Sequence, residues 1–201
     1  TVVKFDSEEK YKDKAAAEEL YNKVKGTRSA TLTKVVRKEK TEDTPLLYDL
    51  TTLQKDANSK HGFTAEQTLA IAQKLYEAKL ITYPRTGSRY ISEDVFAEIP
   101  KLLQTLKNRP VWSLYALSIK KPTRRSVDGS KVTDHHAIII TGEQPKHMSN
   151  EDMTIYDMIV GRMLEAFSEK CIKDVTQVTA DCCGITFTAK DTVNKKEGGR
   201  Y

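Results

Sequence analysis

Apolar positions in this chain change their spacing several times, and each change marks an element. Over residues 7–25, Tyr11, Ala15, Leu20 and Val24 form a thin helical stripe, with Ser7 suited to the N-cap, Glu8 and Glu9 to the first turn and Gly26 to the stop. Residues 30–40 interleave threonine, valine and leucine with charges, as a half-exposed strand does. After the turn "EDTP", the run "LLYDL" places Leu46, Tyr48 and Leu50 on one face of a second strand. A short helix follows, capped near Thr51 or Thr52 and ended by Gly62. The next helix, "TAEQTLAIAQKLYEAK", carries the capping-box pair Thr64 and Gln67, and Leu69, Ala72, Leu75 and Tyr76 form its inward face. Leu80 to Thr82 then read as extended, and Pro84 biases Tyr83 away from helix.

Ser92, Glu93 and Asp94 open another helix, which Pro100 interrupts or restarts. The succession helix, helix, extended turn, helix resembles a helix-turn-helix arrangement. "TDHHAIIITGE" predicts an apolar strand entered through two histidines. Asn150 caps a long amphipathic helix running to Lys170, with Met153, Tyr156, Ile159, Val160, Met163, Leu164 and Phe167 on its buried side. "DVTQVTADCCGITFTAKD" reads as a strand pair turning near Gly184, and the tail "NKKEGGRY" as floppy. Strands at both ends and helices between predict an α+β fold: a mostly helical, helix-turn-helix-like domain over residues 51–140, inserted into a β-rich domain built from residues 27–50 and 141–201. Residues 1–26 form a helix that packs partly on adjoining structure.

Composition narrows the class. The chain has 201 residues, 30% charged and 38% hydrophobic, which suits a soluble globular protein. No apolar run approaches the roughly 20 residues of a membrane helix, and "TVVKFDSEEK" lacks the profile of a signal peptide, so the expected location is the cytosol, away from membranes. Three cysteines without a Cys-x-x-Cys spacing predict free thiols, buried or half-buried; Cys182 and Cys183 would point to opposite faces of a strand and hold no common metal. The net charge of +5 is concentrated in "SIKKPTRRSVDGSK", where Lys120, Lys121, Arg124, Arg125 and Lys131 face only Asp128. That loop is either a solvated basic surface or a contact for a polyanion.

The chemistry gathers in "LITYPRTGSRYI". A phenol titrates near pH ~10 and needs a base or a nearby cation to act as a nucleophile at neutral pH. In an extended segment Arg85 leaves the backbone on the same face as Tyr83, where its guanidinium can fork onto a phosphate and stabilise transition-state charge. Pro84 restricts the backbone between them. Residue types and spacing suit phosphoryl transfer to tyrosine, although most loop tyrosines only pack or donate a hydrogen bond. His135 and His136, adjacent on a strand, diverge and make a poor metal site; one histidine beside a phosphate is the more economical use.

"LYDLTTLQKDAN", "ITYPRTGSRYI" and "DHHAIIITGE", in this order with helices between, resemble the strand-passing DNA topoisomerases of type IA, and most closely their bacterial topoisomerase III branch. The resemblance covers nearly the whole chain, weakest before residue 27 and after 190. It implies an ATP-independent enzyme whose tyrosine, here Tyr83, attacks a phosphodiester of single-stranded DNA and keeps the 5′ phosphate. Arg85 would contact the scissile phosphate and His135 would stand near the reacting atoms, with Thr86, Ser88, Arg89, His136 and the basic loop binding DNA. It also implies Mg²⁺ in the full-length enzyme, held by an acidic domain whose Asp-x-Asp pair this sequence lacks. The chain would thus combine the tyrosine-bearing domain with the arch that lifts it, residues 1–26 belonging to the adjoining gate region. It would be nearly inactive without the metal-binding domain, its expected partner, and would act at the nucleoid. Gly87 and Ile140 stand where relatives usually have aspartate and proline. Two other readings stay open: a non-catalytic DNA-binding module in which Tyr83 stacks on a base, and a tyrosine recombinase, disfavoured because Tyr83 precedes the histidines and the basic loop.

Overall fold

The computed structural model describes residues 3–196. The chain divides into two compact units, one drawn from both ends of the sequence, up to Glu42 and from Cys171 onward, and one from Asp43–Lys170 between them. One unit is therefore inserted into the other.

The outer unit is an antiparallel sheet of four strands in the order β1-β4-β3-β2: β1 (Asp6–Ser7), β2 (Thr31–Glu42), β3 (Cys171–Cys182) and β4 (Ile185–Lys196). Cys183 and Gly184 join β3 to β4 with φ of 59° and 78°, the left-handed pair whose twist matches that of a hairpin. Cys183 thereby leaves the strand and is exposed, so the expected divergence of two cysteines across one strand does not apply. Asn194 to Lys196, expected in the tail, belong to β4; the rest of the expected tail lies outside the described residues. Asp6 and Ser7 pair with Thr188 and Phe187, so the first helix starts later than expected. It is α1 (Lys14–Val24), capped by Asp13, which accepts the Ala16 N–H at 2.8 Å. None of its residues is buried.

The inserted unit holds α2 (Leu50–His61), α3 (Ala65–Glu77), α4 (Glu93–Thr105), α5 (Pro110–Ser118) and α6 (Asn150–Phe167). The caps follow local chemistry. Asp49 with Thr52, Thr64 with Gln67 and Ser149 with Asp152 each form a reciprocal capping box, and Gly62 ends α2 at φ 74°. Pro100 sits inside a continuous α4 rather than ending it. The core is built on α6, whose Ile155, Ile159, Val160, Met163, Leu164 and Phe167 are fully buried. Because α6 and the "HHAIII" segment spend their apolar side chains here, the division falls at 42/43 and 170/171, rather than at the expected 50/51 and 140/141, and α6 leaves the β-rich unit. "LLYDL" is not a strand: the neighbours Leu47 and Tyr48 are both buried, Tyr48 makes one bridge to Ile138, and Leu50 already belongs to α2. On α3 the buried residues are Thr68, Ile71, Ala72 and Leu75, about one position round from the expected face, and Tyr76 is 39% exposed.

Two features of this unit give stability predictions. The end of α3 is a Schellman motif, with Leu80 N–H on Leu75 O at 2.9 Å and Lys79 N–H on Tyr76 O at 2.8 Å, and Lys79 takes the left-handed position at φ 61°. A glycine there carries no Cβ penalty. Lys79→Gly is expected to raise unfolding free energy by about 0.5–1 kcal/mol, read by urea denaturation; a loss would contradict the motif. Asp152 is buried, which alone would raise its pKa, but hydrogen bonds from Lys74 and Ser149 outweigh burial and hold the carboxyl below its ordinary value. A depressed carboxyl stabilises above its unfolded pKa of about 3.9, and that stability is lost as pH falls through the lower folded value. Asp152→Asn is therefore expected to lower Tm at pH 7, with the gap to wild type closing below pH about 4.

Candidate active site

Residues 80–91 run across the inserted unit with their backbone tied on both sides. Thr82 N–H donates to Ile139 O at 2.9 Å, Thr141 N–H to Leu80 O at 3.1 Å, Ala137 N–H to Tyr90 O at 2.9 Å and Leu50 N–H to Thr86 O at 3.1 Å. The Thr82 hydroxyl accepts the Ile139 N–H at 3.0 Å and donates to Ala137 O at 3.2 Å. The middle of the segment alternates: Pro84, Thr86 and Ser88 are buried, whereas Tyr83 is half-buried and Arg85 and Gly87 are exposed. The backbone bends at Thr82 and Pro84 and forms no regular strand, and Tyr83 and Arg85 both keep solvent access while Pro84 between them is buried.

Around Tyr83 the structure gathers two more rings. His135 lies at 4.3 Å between centroids, tilted by 44°, and Tyr76 meets Tyr83 edge-on at 5.3 Å and 77°. Among the described residues, the Tyr83 hydroxyl makes no hydrogen bond and Arg85 no hydrogen bond or ion pair. Two of the other tyrosines are spent differently. Burial, opposed by Arg162, pushes the Tyr48 phenol well above its ordinary pKa, and it donates to Asp56 at 2.8 Å beneath the Arg162 guanidinium. Burial, opposed by Arg109, likewise raises Tyr156.

The remaining expected site residues separate into groups. Thr86 donates to His135 O at 2.9 Å and Ser88 to Lys131 O at 2.8 Å, both from buried positions, so they bind the segment to the "HHAI" stretch and its approach, which is not the expected strand but makes only isolated bridges through Ile138 and Ile140. Arg89 Nε donates to Leu47 O at 3.1 Å, and its NH2 reaches Leu46 O at 3.5 Å. His136 Nδ1 lies 2.7 Å from Ala137 O and is half-buried, whereas His135 is exposed. In the basic loop Arg124 pairs with Glu93 and covers the Phe96 ring at 4.9 Å, Arg125 pairs with Asp43 at 3.2 Å, and Lys131 pairs with Asp128 at 3.0 Å. Lys120 and Lys121 are exposed and have no carboxylate within reach among the described residues. Sequence reasoning missed Tyr76 as a wall of the site, having assigned it to the core, and missed Thr82, whose place between two apolar residues hid a backbone-binding hydroxyl.

A family model described as DNA topoisomerase matches residues 2–200. The chain belongs to the DNA topoisomerase family. It is 38% identical over 179 residues to the DNA topoisomerase 3 of Bacillus subtilis, covering 85% of this chain and 24% of that protein. With the DNA topoisomerase 3 of Bacillus cereus it shares 44% identity over 142 residues, covering 68% of this chain and 20% of the relative. The chain thus spans about a quarter of the length of the curated relatives it matches. The fold of full-length topoisomerase I from Thermotoga maritima superposes with a TM-score of 0.67 at 22% identity, covering 98% of this chain and 32% of that one.

Proposed function

We propose that this chain supplies the strand-cleaving tyrosine of a type IA DNA topoisomerase. The observation that carries the reading is that Tyr83 and Arg85, two residues apart on one tied segment, keep solvent access, with a phenol hydroxyl that makes no hydrogen bond and a guanidinium that makes no hydrogen bond or ion pair among the described residues. Tyr83 Oη attacks a phosphorus of single-stranded DNA, the P–O3′ bond breaks, the phenol proton passes to the 3′ oxygen, and the 5′ phosphate stays on Tyr83. Arg85 holds the phosphate and the charge that grows on its oxygens. His135, whose ring lies against the tyrosine ring, would relay the proton. Resealing is the reverse step and needs no ATP, because the phosphotyrosine conserves the energy of the broken bond.

Mg²⁺, implied by the resemblance, is not assigned to this chain's residues: among those described, no three His, Cys, Asp or Glu side chains gather as a metal set. In this reading an acidic domain elsewhere in the full-length protein holds the ion, α2 and α3 form part of the DNA-facing surface, and the enzyme works in the cytoplasm at the nucleoid. The deciding experiment uses the full-length protein, Mg²⁺ and single-stranded DNA labelled on either side of a cleavage site. After denaturation the protein is expected to carry the label that lies 3′ of the break; label from the 5′ side on the protein would reverse the proposed polarity.

Arg85, without a carboxylate partner among the described residues, and Arg124 and Arg125, each with one, are expected to differ in DNA binding. Arg85→Ala is expected to lower the slope of log affinity against log salt by about 0.7, and Arg124→Ala with Arg125→Ala together by less. Fluorescence anisotropy of a labelled oligonucleotide at several salt concentrations measures both. A larger change for the loop pair would move the DNA track away from Arg85.

A further inference from the structure

One surface of the inserted unit is not used by the cleavage site. Between α4 and α5 lies a groove of about 370 Å³, with Pro100, Leu103, Ala116, Leu117, Ile119 and Pro122 as its apolar lining. Gln104, Lys107 and Lys120 complete the lining, and no acidic residue is part of it. Beside it α5 presents an apolar ridge to solvent, with Val111 66%, Leu114 76% and Leu117 53% exposed. The wall is fixed rather than loose: Thr123 N–H donates to Phe167 O at 3.0 Å and its hydroxyl to Ala166 O at 2.9 Å, while Lys120 N–H donates to Ser118 O at 3.1 Å. Contiguous exposed apolar side chains of this kind mark an interaction surface.

We propose that this groove docks an acidic peptide tail of a partner protein, with bulky apolar side chains seated between α4 and α5 and carboxylates on Lys107 and Lys120. Charge decides the occupant. A lining with two lysines and no acidic residue favours a carboxylate-bearing segment and speeds its encounter. Single-stranded DNA is the poorer fit, because its sites stack bases on aromatic rings and no aromatic residue lines the groove. A second copy of the chain is also disfavoured, since a two-fold contact through the ridge would set the two lysines against their own like charge. The volume, near the low end of the ~300–1,000 Å³ of ligand pockets, suits one or two anchoring side chains. Lys120 is thereby drawn from the DNA-binding set to the groove, leaving for phosphate Lys121, which has no carboxylate within reach among the described residues. This placement is independent of Tyr83 chemistry.

The probe is a fluorescein-labelled ten-residue peptide in which pairs of aspartate alternate with leucine, titrated with the 201-residue chain and followed by anisotropy. Saturable binding is expected, with Kd below about 1 mM. Lys107→Glu and Leu117→Asp, both on exposed positions, should each weaken it at least about tenfold, about 1.4 kcal/mol, with unchanged far-UV circular dichroism. A control peptide with lysine in place of aspartate should not bind. Failure of the first peptide to saturate, equal affinity for both variants, self-association of the chain that blocks binding, or displacement by oligo(dT) as effectively as by unlabelled peptide would each overturn the proposal. Strand cleavage by the full-length protein should be untouched by Leu117→Asp, so loss of peptide binding and loss of the Tyr83 reaction can be told apart.

Discussion

Tyr83→Phe is expected to abolish strand cleavage by the full-length protein, lowering the rate by at least about 10⁴-fold, as removal of a covalent nucleophile does. Folding should hardly change. The Tyr83 hydroxyl makes no hydrogen bond among the described residues, so its loss leaves no polar group stranded, and the ring contacts with Tyr76 and His135 persist in phenylalanine. A stability change within about 0.5 kcal/mol is expected by thermal melting. Tyr76→Phe supplies the contrast. It keeps the edge contact at 5.3 Å and removes a hydroxyl that takes no part in the proposed step, so cleavage should survive. Cleavage lost with Tyr76→Phe and retained with Tyr83→Phe would transfer the chemistry to the neighbouring ring.

The second large effect concerns the backbone that holds the nucleophile. Thr82 accepts from Ile139 N–H and donates to Ala137 O, locking the residue before Tyr83 to the segment that carries His135. Thr82→Val keeps the shape and β-branching but strands the Ile139 amide, at a cost of about 1–3 kcal/mol. Release of this clamp should let Tyr83 and His135 drift apart, and a misplacement of about 1 Å can cost about 10²-fold in rate. Thr82→Ser restores the hydroxyl and should restore most of the rate. If Thr82→Val lowers Tm while leaving cleavage at the wild-type rate, the clamp is structural only.

Much of this arrangement was readable where the determinant is local. The Thr64 and Gln67 pair and the stop at Gly62 are short-range hydrogen-bond chemistry, and the structure has them as expected. The burial of Pro84 between the more accessible Tyr83 and Arg85 is likewise local, although the backbone bends at Thr82 and Pro84 instead of running extended as expected. What could not be read depends on partners far along the chain. Arg124 and Arg125 looked like free phosphate contacts, but Glu93 and Asp43 reach them only after folding. Thr86, Ser88 and Arg89 looked like DNA ligands because they are polar and sit in the motif. Their hydrogen bonds go instead to carbonyls of His135, Lys131, Leu46 and Leu47, which a segment packed among others must satisfy. The assignment of α6 failed for a similar reason. Its periodicity told that one face is buried, and only the tertiary fold could tell which unit buries it.

The central claim is that Tyr83 becomes the bond between protein and DNA, and it can be tested at the atom. Trypsin should cut after Lys79 and after Arg85, releasing Leu80 to Arg85, a peptide in which Tyr83 is the sole tyrosine. Full-length protein trapped on single-stranded DNA, digested with nuclease and trypsin and mapped by mass spectrometry, is predicted to give this peptide with a nucleotide joined through its 5′ phosphate to the phenol. A nucleotide found on any other peptide, with Leu80 to Arg85 recovered unmodified from the trapped complex, would contradict the account.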